Sequence, residues 1–456
     1  MNPPNSSIPF VQSGAYPVRA GNAVRPLVDG EPAFRRICEA VAAARHSVWV
    51  TVTFMWASFE MPDGRGSALD VLDEAAARGL DVRLIFWRPD AATDYLKRNA
   101  FWGSAEHVAV LEARRSGVKI RWDRAHPGFC QHQKSWLIDA GAQHETAFVG
   151  GINLNPHSVV APGHHGEGQN HDVYAELCGP CTVDVHHNFV QRWNGAGDGR
   201  WGAGSEADLP WPAHVPAQRG HALVQIQRAV HPGLYPDGPA APGGPAFDIS
   251  VGERSIFDQY CVAIAAARRS IYIENQYVEV PEIVAGLQQA LERGVVVVLV
   301  MPAEPDIQIL ATDGPERHAF GQMRADLGRH DHFTLAGLAG PGPDGRRKPV
   351  WVHAKLMLID DEWATLGSCN LHRHSLFGNG EMNAVFQDSQ AVRDLRIELL
   401  AEHLGQDTSH LDDRAALTLF GRVARENQYL LDVDNHAWQG LAFALDPATY
   451  GRPAGR

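Results

Sequence analysis

Two short stretches of the chain carry the same reactive side chains at the same spacing. His132-Gln-Lys134 is followed by Asp139, and His353-Ala-Lys355 by Asp360, each an H-x-K-x4-D pattern. Behind the first comes Gly150-Gly-Ile-Asn153-Leu-Asn-Pro-His-Ser158, and behind the second Gly367-Ser-Cys-Asn370-Leu-His-Arg-His-Ser375. On an extended strand, residues two apart project to one face, so each imidazole emerges beside an ammonium. Two imidazoles, two ammoniums and the amides of Asn153 and Asn370 around one small volume suit a phosphodiester. The lysines and amides can neutralise and orient phosphate oxygens. One neutral imidazole can attack phosphorus while the other, protonated, delivers a proton to the leaving oxygen. The ammoniums supply the positive charge, so the expected chemistry needs no metal or other cofactor.

A histidine in such a role needs a carboxylate to fix its tautomer. Asp172 and Glu381 stand at matching places after the two motifs. Asp139 and Asp360 each end an apolar run just before a turn, which predicts a role in holding the fold. Ser158 and Ser375 are candidates for phosphate contact or for turn-capping hydrogen bonds.

The elements that position these groups come from a duplication. Ala40-Val-Ala-Ala-Ala-Arg-His-Ser-Val-Trp-Val50 returns as Ala263-Ile-Ala-Ala-Ala-Arg-Arg-Ser-Ile-Tyr-Ile273, a helix end, a basic break and a strand. Glu74 to Ile85 returns as Gln289 to Val300, with Gly79 and Gly294 each stopping a helix. The expected fold is α/β: two homologous sandwich lobes with mixed, mostly parallel sheets related by a pseudo-twofold axis. The expected boundaries are residues 1–194, a Gly/Pro-rich linker over 195–220, and 221–456 with a C-terminal extension.

The paired motifs and their tails resemble the phospholipase D superfamily over about residues 22–400, and Ile273-Glu-Asn-Gln-Tyr277 is similar to a segment of phospholipase D enzymes. The resemblance implies a metal-independent reaction through a phosphohistidine, with hydrolysis or transfer of a phosphatidyl group. It implies His132 as nucleophile and His353 as general acid, and it adds Tyr277 to the substrate contacts. It also implies that Glu381 serves His132 and Asp172 serves His353, each across the lobes. Where many relatives carry an acid two residues after the asparagine, this chain has Asn155 and His372.

Composition narrows the substrates. With 40 Lys+Arg against 53 Asp+Glu the formal net charge is −13, which disfavours a nonspecific nuclease. The expected partner is a phospholipid or another small phosphodiester met at a membrane surface, rather than nucleic acid, and the expected state is a monomer. The leading function is hydrolysis of phospholipid to phosphatidic acid and free headgroup. The alternatives are a phosphatidyltransferase resembling cardiolipin synthase, a nuclease, or an inactive phosphate-binding scaffold. No apolar run is long enough to cross a bilayer and no signal peptide is visible, which predicts a cytoplasmic location. Cys178-Gly-Pro-Cys181 spells a redox dithiol but is read as coincidence at a strand end. The histidines at 157, 164, 165 and 171 are read as a lid or solvated loop rather than a metal site, and His186-His187 as helix surface.

Overall fold

A computed structural model describes residues 6–12, 14–202, 207–305, 321–322 and 324–451. Its first sheet runs in the order Arg19–Val28, Val173–Cys178, Thr146–Gly150, Lys134–Ile138, Ser47–Val52, Asp81–Trp87, Lys119–Asp123 and Asp198–Trp201. The second repeats this order with Ala222–Val230, Glu381–Gln387, Trp363–Gly367, Leu356–Ile359, Ser270–Glu274, Val296–Val300 and Phe333–Pro341. Strand for strand, the duplication seen in the sequence is a duplication of topology. The sheets join where Arg19–Asn22 pairs antiparallel with Ala222–Val224, while Ala23–Val28 pairs inside the first sheet. Part of the expected linker, Asp198–Trp201, is the edge strand of the first sheet.

The α/β class and mixed sheets are as expected; the mostly parallel character is not. Within each of the two sheets, among the described residues, the parallel pairs are confined to three neighbouring strands joined by helical crossovers, and one short parallel pair, Asn170–His171 with Trp351–Val352, runs between the lobes. The strands that follow each His-Lys pair are linked by short turns, and short turns make antiparallel neighbours. Leu356–Ile359 and Trp363–Gly367, for example, are separated by three residues.

Helices Gly30–Ala43 and Ala68–Ala77 cover one face of the first sheet, where Phe34, Ile37, Leu69 and Leu72 pack with Val50, Leu84 and Phe86. Ser255–Ala266 and Pro281–Glu292 do the same in the second. The other faces share one apolar layer, with Val149, Ala175 and Phe189 from one lobe and Val224, Leu366, Ala384 and Leu399 from the other. Each fully buried aliphatic or aromatic side chain there contributes about 1.5–3 kcal/mol. The lobes are therefore held face to face, which is what a site assembled from both of them requires. The C-terminal extension caps this layer with helix Asp413–Asp432 and adds Ala442–Ala444 at the sheet edge.

Two surface readings are corrected by this packing. His186 and His187 are buried, because their helix, Thr182–Gly195, lies inside the shared layer; His186 Nδ1 meets Glu145 and His187 Nδ1 meets the Tyr16 hydroxyl. In the histidine loop, His157 and His165 are exposed, but His164 and His171 have no exposed surface. Cys181 opens the helix after a strand, yet burial pushes its thiol well above the ordinary range, and raises that of Cys178. A buried neutral thiol is not a redox nucleophile.

Candidate active site

Each H-x-K motif lies at the start of a strand: His132 just precedes Lys134–Ile138, and His353 just precedes Leu356–Ile359. The register is fixed across the lobes by backbone bonds. His132 N–H donates to Gly380 O at 2.7 Å, and His353 N–H to His171 O at 2.8 Å. These acceptors immediately precede Glu381 and Asp172. The two acids are thus delivered to the histidines of the opposite lobes, the pairing the resemblance implied. His132 Nδ1 lies 3.0 and 3.1 Å from the Glu381 carboxylate oxygens and 3.1 Å from Ser368 O. His353 Nδ1 lies 2.5 Å from Asp172 Oδ2. A carboxylate at Nδ1 keeps the proton there and leaves the Nε2 lone pair for chemistry.

Both lysines curl back onto the strand. Lys134 Nζ donates to His132 O at 2.6 Å, and Lys355 Nζ donates to His353 O and, at 2.7 Å, to Gln276 Oε1. Burial pushes Lys134 down to about 8 and Lys355 down to about 7, the latter helped by repulsion from Lys134. Such ammoniums lack partners equal to their charge, and a phosphate anion would restore it. Asn153 and Asn370 are buried beside the exit of the next strand, and each leaves its amide oxygen without a partner. Their amides can therefore turn toward a ligand.

The two acids sit in unequal surroundings, and the motif tails explain why. Burial works to raise Glu381, but the His132 imidazole, Lys134 and the Ser368 hydroxyl overcome it and hold the carboxyl below its usual range. Ser368 Oγ donates to Glu381 Oε2 at 2.5 Å. The matching residue in the first lobe is Gly151, where a Cβ would come within 2.5 Å of Asp172 Oδ1. Asp172 thus has no hydroxyl donor from this position, and burial pushes it up to about 7. Burial also lowers His132, against the pull of Glu381, so its ring is neutral at neutral pH.

The remaining expected residues fall into supporting places. Asp139 accepts from the backbone N–H groups of Arg45, His46 and Ser47, and Asp360 from those of Arg268, Arg269 and Ser270, within the repeated basic breaks. Asp139→Ala removes the acceptor of three amides, of which only that of Ser47 is in a buried residue, so urea unfolding should show about 1–3 kcal/mol less stability. Ser375 is fully buried and its hydroxyl accepts from Asn379, whose amide also reaches Glu381. Ser158 is likewise buried, its Oγ 3.3 Å from Asn170 Nδ2. Asn155 and His372 cap the short helices Pro156–Ser158 and Arg373–Phe377, a task an acid would perform equally well. The Tyr277 ring packs 4.7 Å from His372, and Phe54, at the matching place in the first lobe, lies 6.3 Å from His132.

Three contributors lay outside the sequence reading. Gln276 holds Lys355, Ser368 holds Glu381, and His171 holds the His353 backbone. Gln276 belongs to the Glu274-Asn275-Gln276-Tyr277 segment, where its neighbour Asn275 anchors Leu371 through Oδ1.

Family comparison agrees with this geometry. The model described as "Cardiolipin synthase, PLD-like domain" matches twice, over residues 37–180 and 260–401. The chain belongs to the phospholipase D superfamily. Its curated relatives include a cardiolipin synthase A of Pseudomonas entomophila, 25% identical over 82% of this chain and 67% of that protein. They also include phospholipase D alpha 1 of Arabidopsis thaliana, 23% identical over 85% of this chain and 66% of that one. The chain thus spans about two thirds of the length of these phospholipase D relatives. The fold is shared with the crystal structure of phosphatidylserine synthase from Haemophilus influenzae, at a TM-score of 0.55 and 13% identity over 91% of this chain and 96% of that one.

Proposed function

We propose that this protein cleaves a phospholipid phosphodiester through a covalent phosphohistidine on His132, with His353 as general acid. The carrying observation is the pair of cross-lobe carboxylate–imidazole contacts, which are alike in geometry and unlike in charge. Glu381, kept ionised, holds the His132 proton on Nδ1, so its Nε2 lone pair can attack phosphorus as the bond to the leaving oxygen breaks. Asp172, which retains a proton more readily, shares it with His353, whose Nε2–H can protonate that oxygen. His353, now neutral, then draws a proton from an entering water or alcohol, which displaces His132 from phosphorus. Lys134, Lys355 and the two asparagine amides stabilise the charge on the equatorial oxygens. Hydrolysis gives phosphatidic acid and free headgroup, and an alcohol acceptor gives transfer, the reaction suggested by the cardiolipin synthase relatives. Among the described residues no helix is long and apolar enough to cross a membrane.

The test is headgroup release from phosphatidylcholine and phosphatidylglycerol vesicles, with ethanol or glycerol present. Release with phosphatidic acid supports hydrolysis, and phosphatidylethanol or a new phosphatidyl ester supports transfer. Cleavage of bis(p-nitrophenyl) phosphate or single-stranded DNA with intact vesicles sinks the lipid assignment.

The charges set a pH window. His132 must be neutral, so kcat/KM rises as pH climbs through a value below 6.5, the ordinary range for histidine. The lysine charges are lost as pH rises past about 7 for Lys355 and about 8 for Lys134, and the Asp172 proton near 7. The profile should therefore be bell-shaped with a maximum near neutrality. A plateau reaching pH 10 contradicts this ordering.

A further inference from the structure

Behind the Asp172–His353 pair lies a second cluster that the reaction does not use. Asp29, His164 and His171 come from the first lobe and Glu402 from helix Ser389–Leu404 of the second. Each offers one nitrogen or oxygen, and these atoms all lie within 4.8 Å of one another. We propose that these four residues bind a zinc-type transition-metal dication that clamps the lobes together behind the catalytic centre.

The distances suit that occupant. Tetrahedral zinc with bonds of about 2.0–2.2 Å sets its donor atoms roughly 3.3–3.6 Å apart. Here His164 Nε2 lies 3.3 Å from Asp29 Oδ1 and 3.6 Å from Glu402 Oε1, and His171 Nδ1 lies 2.9 Å from Asp29 Oδ1 and 3.9 Å from Glu402 Oε2. Small shifts would bring all four onto one ion. Two imidazoles with two carboxylates match zinc, cobalt or manganese far better than calcium or magnesium, which prefer oxygen alone.

The polar bookkeeping points the same way. Both ring nitrogens of His164, Asp29 Oδ2 and Glu402 Oε2 are buried with no hydrogen-bond partner, and His164 and Asp29 have no exposed surface. Each such orphan costs about 1–3 kcal/mol unless something satisfies it. His164 also adopts a left-handed backbone, φ 48°, which is uncommon for residues other than glycine.

The cluster has the outer support that metal sites carry. His171 Nε2 lies 3.0 Å from Glu274 Oε2, and Glu274 Oε1 accepts from the Tyr272 hydroxyl at 2.5 Å. A carboxylate behind the ring holds the proton on Nε2 and turns the Nδ1 lone pair toward a metal. Glu402 Oε1 is aimed by the Gly163 N–H at 2.6 Å. On binding, the ion replaces any proton shared between His171 Nδ1 and Asp29, which leaves to solvent. The His171 carbonyl accepts from His353 and Ala354 N–H, so the clamp would steady the general-acid half of the site without touching substrate.

The test uses the full chain, stripped with a strong chelator and then titrated with Zn2+ or Co2+ alone. The proposal expects one ion per chain by elemental analysis, tetrahedral visible absorption from Co2+, and a higher Tm with either metal. Glu402→Gln, which keeps shape and loses charge, should weaken binding at least about 100-fold and lose the Tm rise. His164→Ala should do the same, whereas His165→Ala, at the exposed neighbour, should bind as the parent does. A parent chain that takes up no ion, or Glu402→Gln binding with the parent's affinity, overturns the proposal.

Discussion

With bis(p-nitrophenyl) phosphate as substrate, His353→Ala should release one p-nitrophenolate per chain in a burst and then turn over slowly, whereas His132→Ala should release none. An activated phenolate leaves without being protonated, so loss of the general acid spares the first step. The second step still needs a base for water, and its loss should slow turnover by about 10²–10⁴-fold. Loss of the nucleophile removes the covalent route altogether, and kcat/KM should fall by about 10⁵-fold or more. On phospholipid, whose alkoxide is a poor leaving group, both variants should be severely impaired. Stopped-flow absorbance reads burst and turnover in one trace. A burst in His132→Ala with none in His353→Ala would reverse the assigned roles.

The carboxylates should divide in the same way, but across the lobes. Glu381→Gln removes the negative charge beside His132 Nδ1 and puts there an amide that can donate as well as accept, with only the neutral Ser368 carbonyl left as an obligate acceptor, so the lone pair is no longer held firmly on Nε2. Comparable loss of a tautomer-fixing carboxylate costs about 10⁴-fold. The burst rate should fall by that order in Glu381→Gln, while Asp172→Asn keeps the burst and slows the second step. The two residues lie 209 positions apart in the chain, and each acts on the lobe that does not contain it. Normal burst rates in Glu381→Gln would show that the cross-lobe contact does not serve the nucleophile.

The sequence carried the reactive groups plainly, because the duplication printed His, Lys, Asp and Asn twice in the same order. It also carried the reason for Asp139 and Asp360, since each closes onto a repeated basic break. Strand direction was less legible. Runs such as Leu356–Ile359 are buried on both faces, and such runs look alike in parallel and antiparallel sheets. The clue was the short turn after each motif. Side chains that depend on distant partners were invisible. His164 and His171 sit in a Gly/Pro-rich loop with the composition of a solvated one, and their burial is explained by Asp29, Glu274 and Glu402, each more than a hundred residues away. Ser368 and Gly151 were visible as a one-residue difference between motif tails, but its effect on Glu381 and Asp172 needed the geometry.

The central claim is a covalent bond between His132 and phosphorus. Rapid acid-free quenching of the enzyme with bis(p-nitrophenyl) phosphate, followed by proteolysis and mass spectrometry, reads it directly. A p-nitrophenyl phosphate adduct should appear on the peptide holding His132, should accumulate in His353→Ala, and should be missing from His132→Ala. An adduct on His353 instead, or full turnover by His353→Ala without any adduct, would contradict the account.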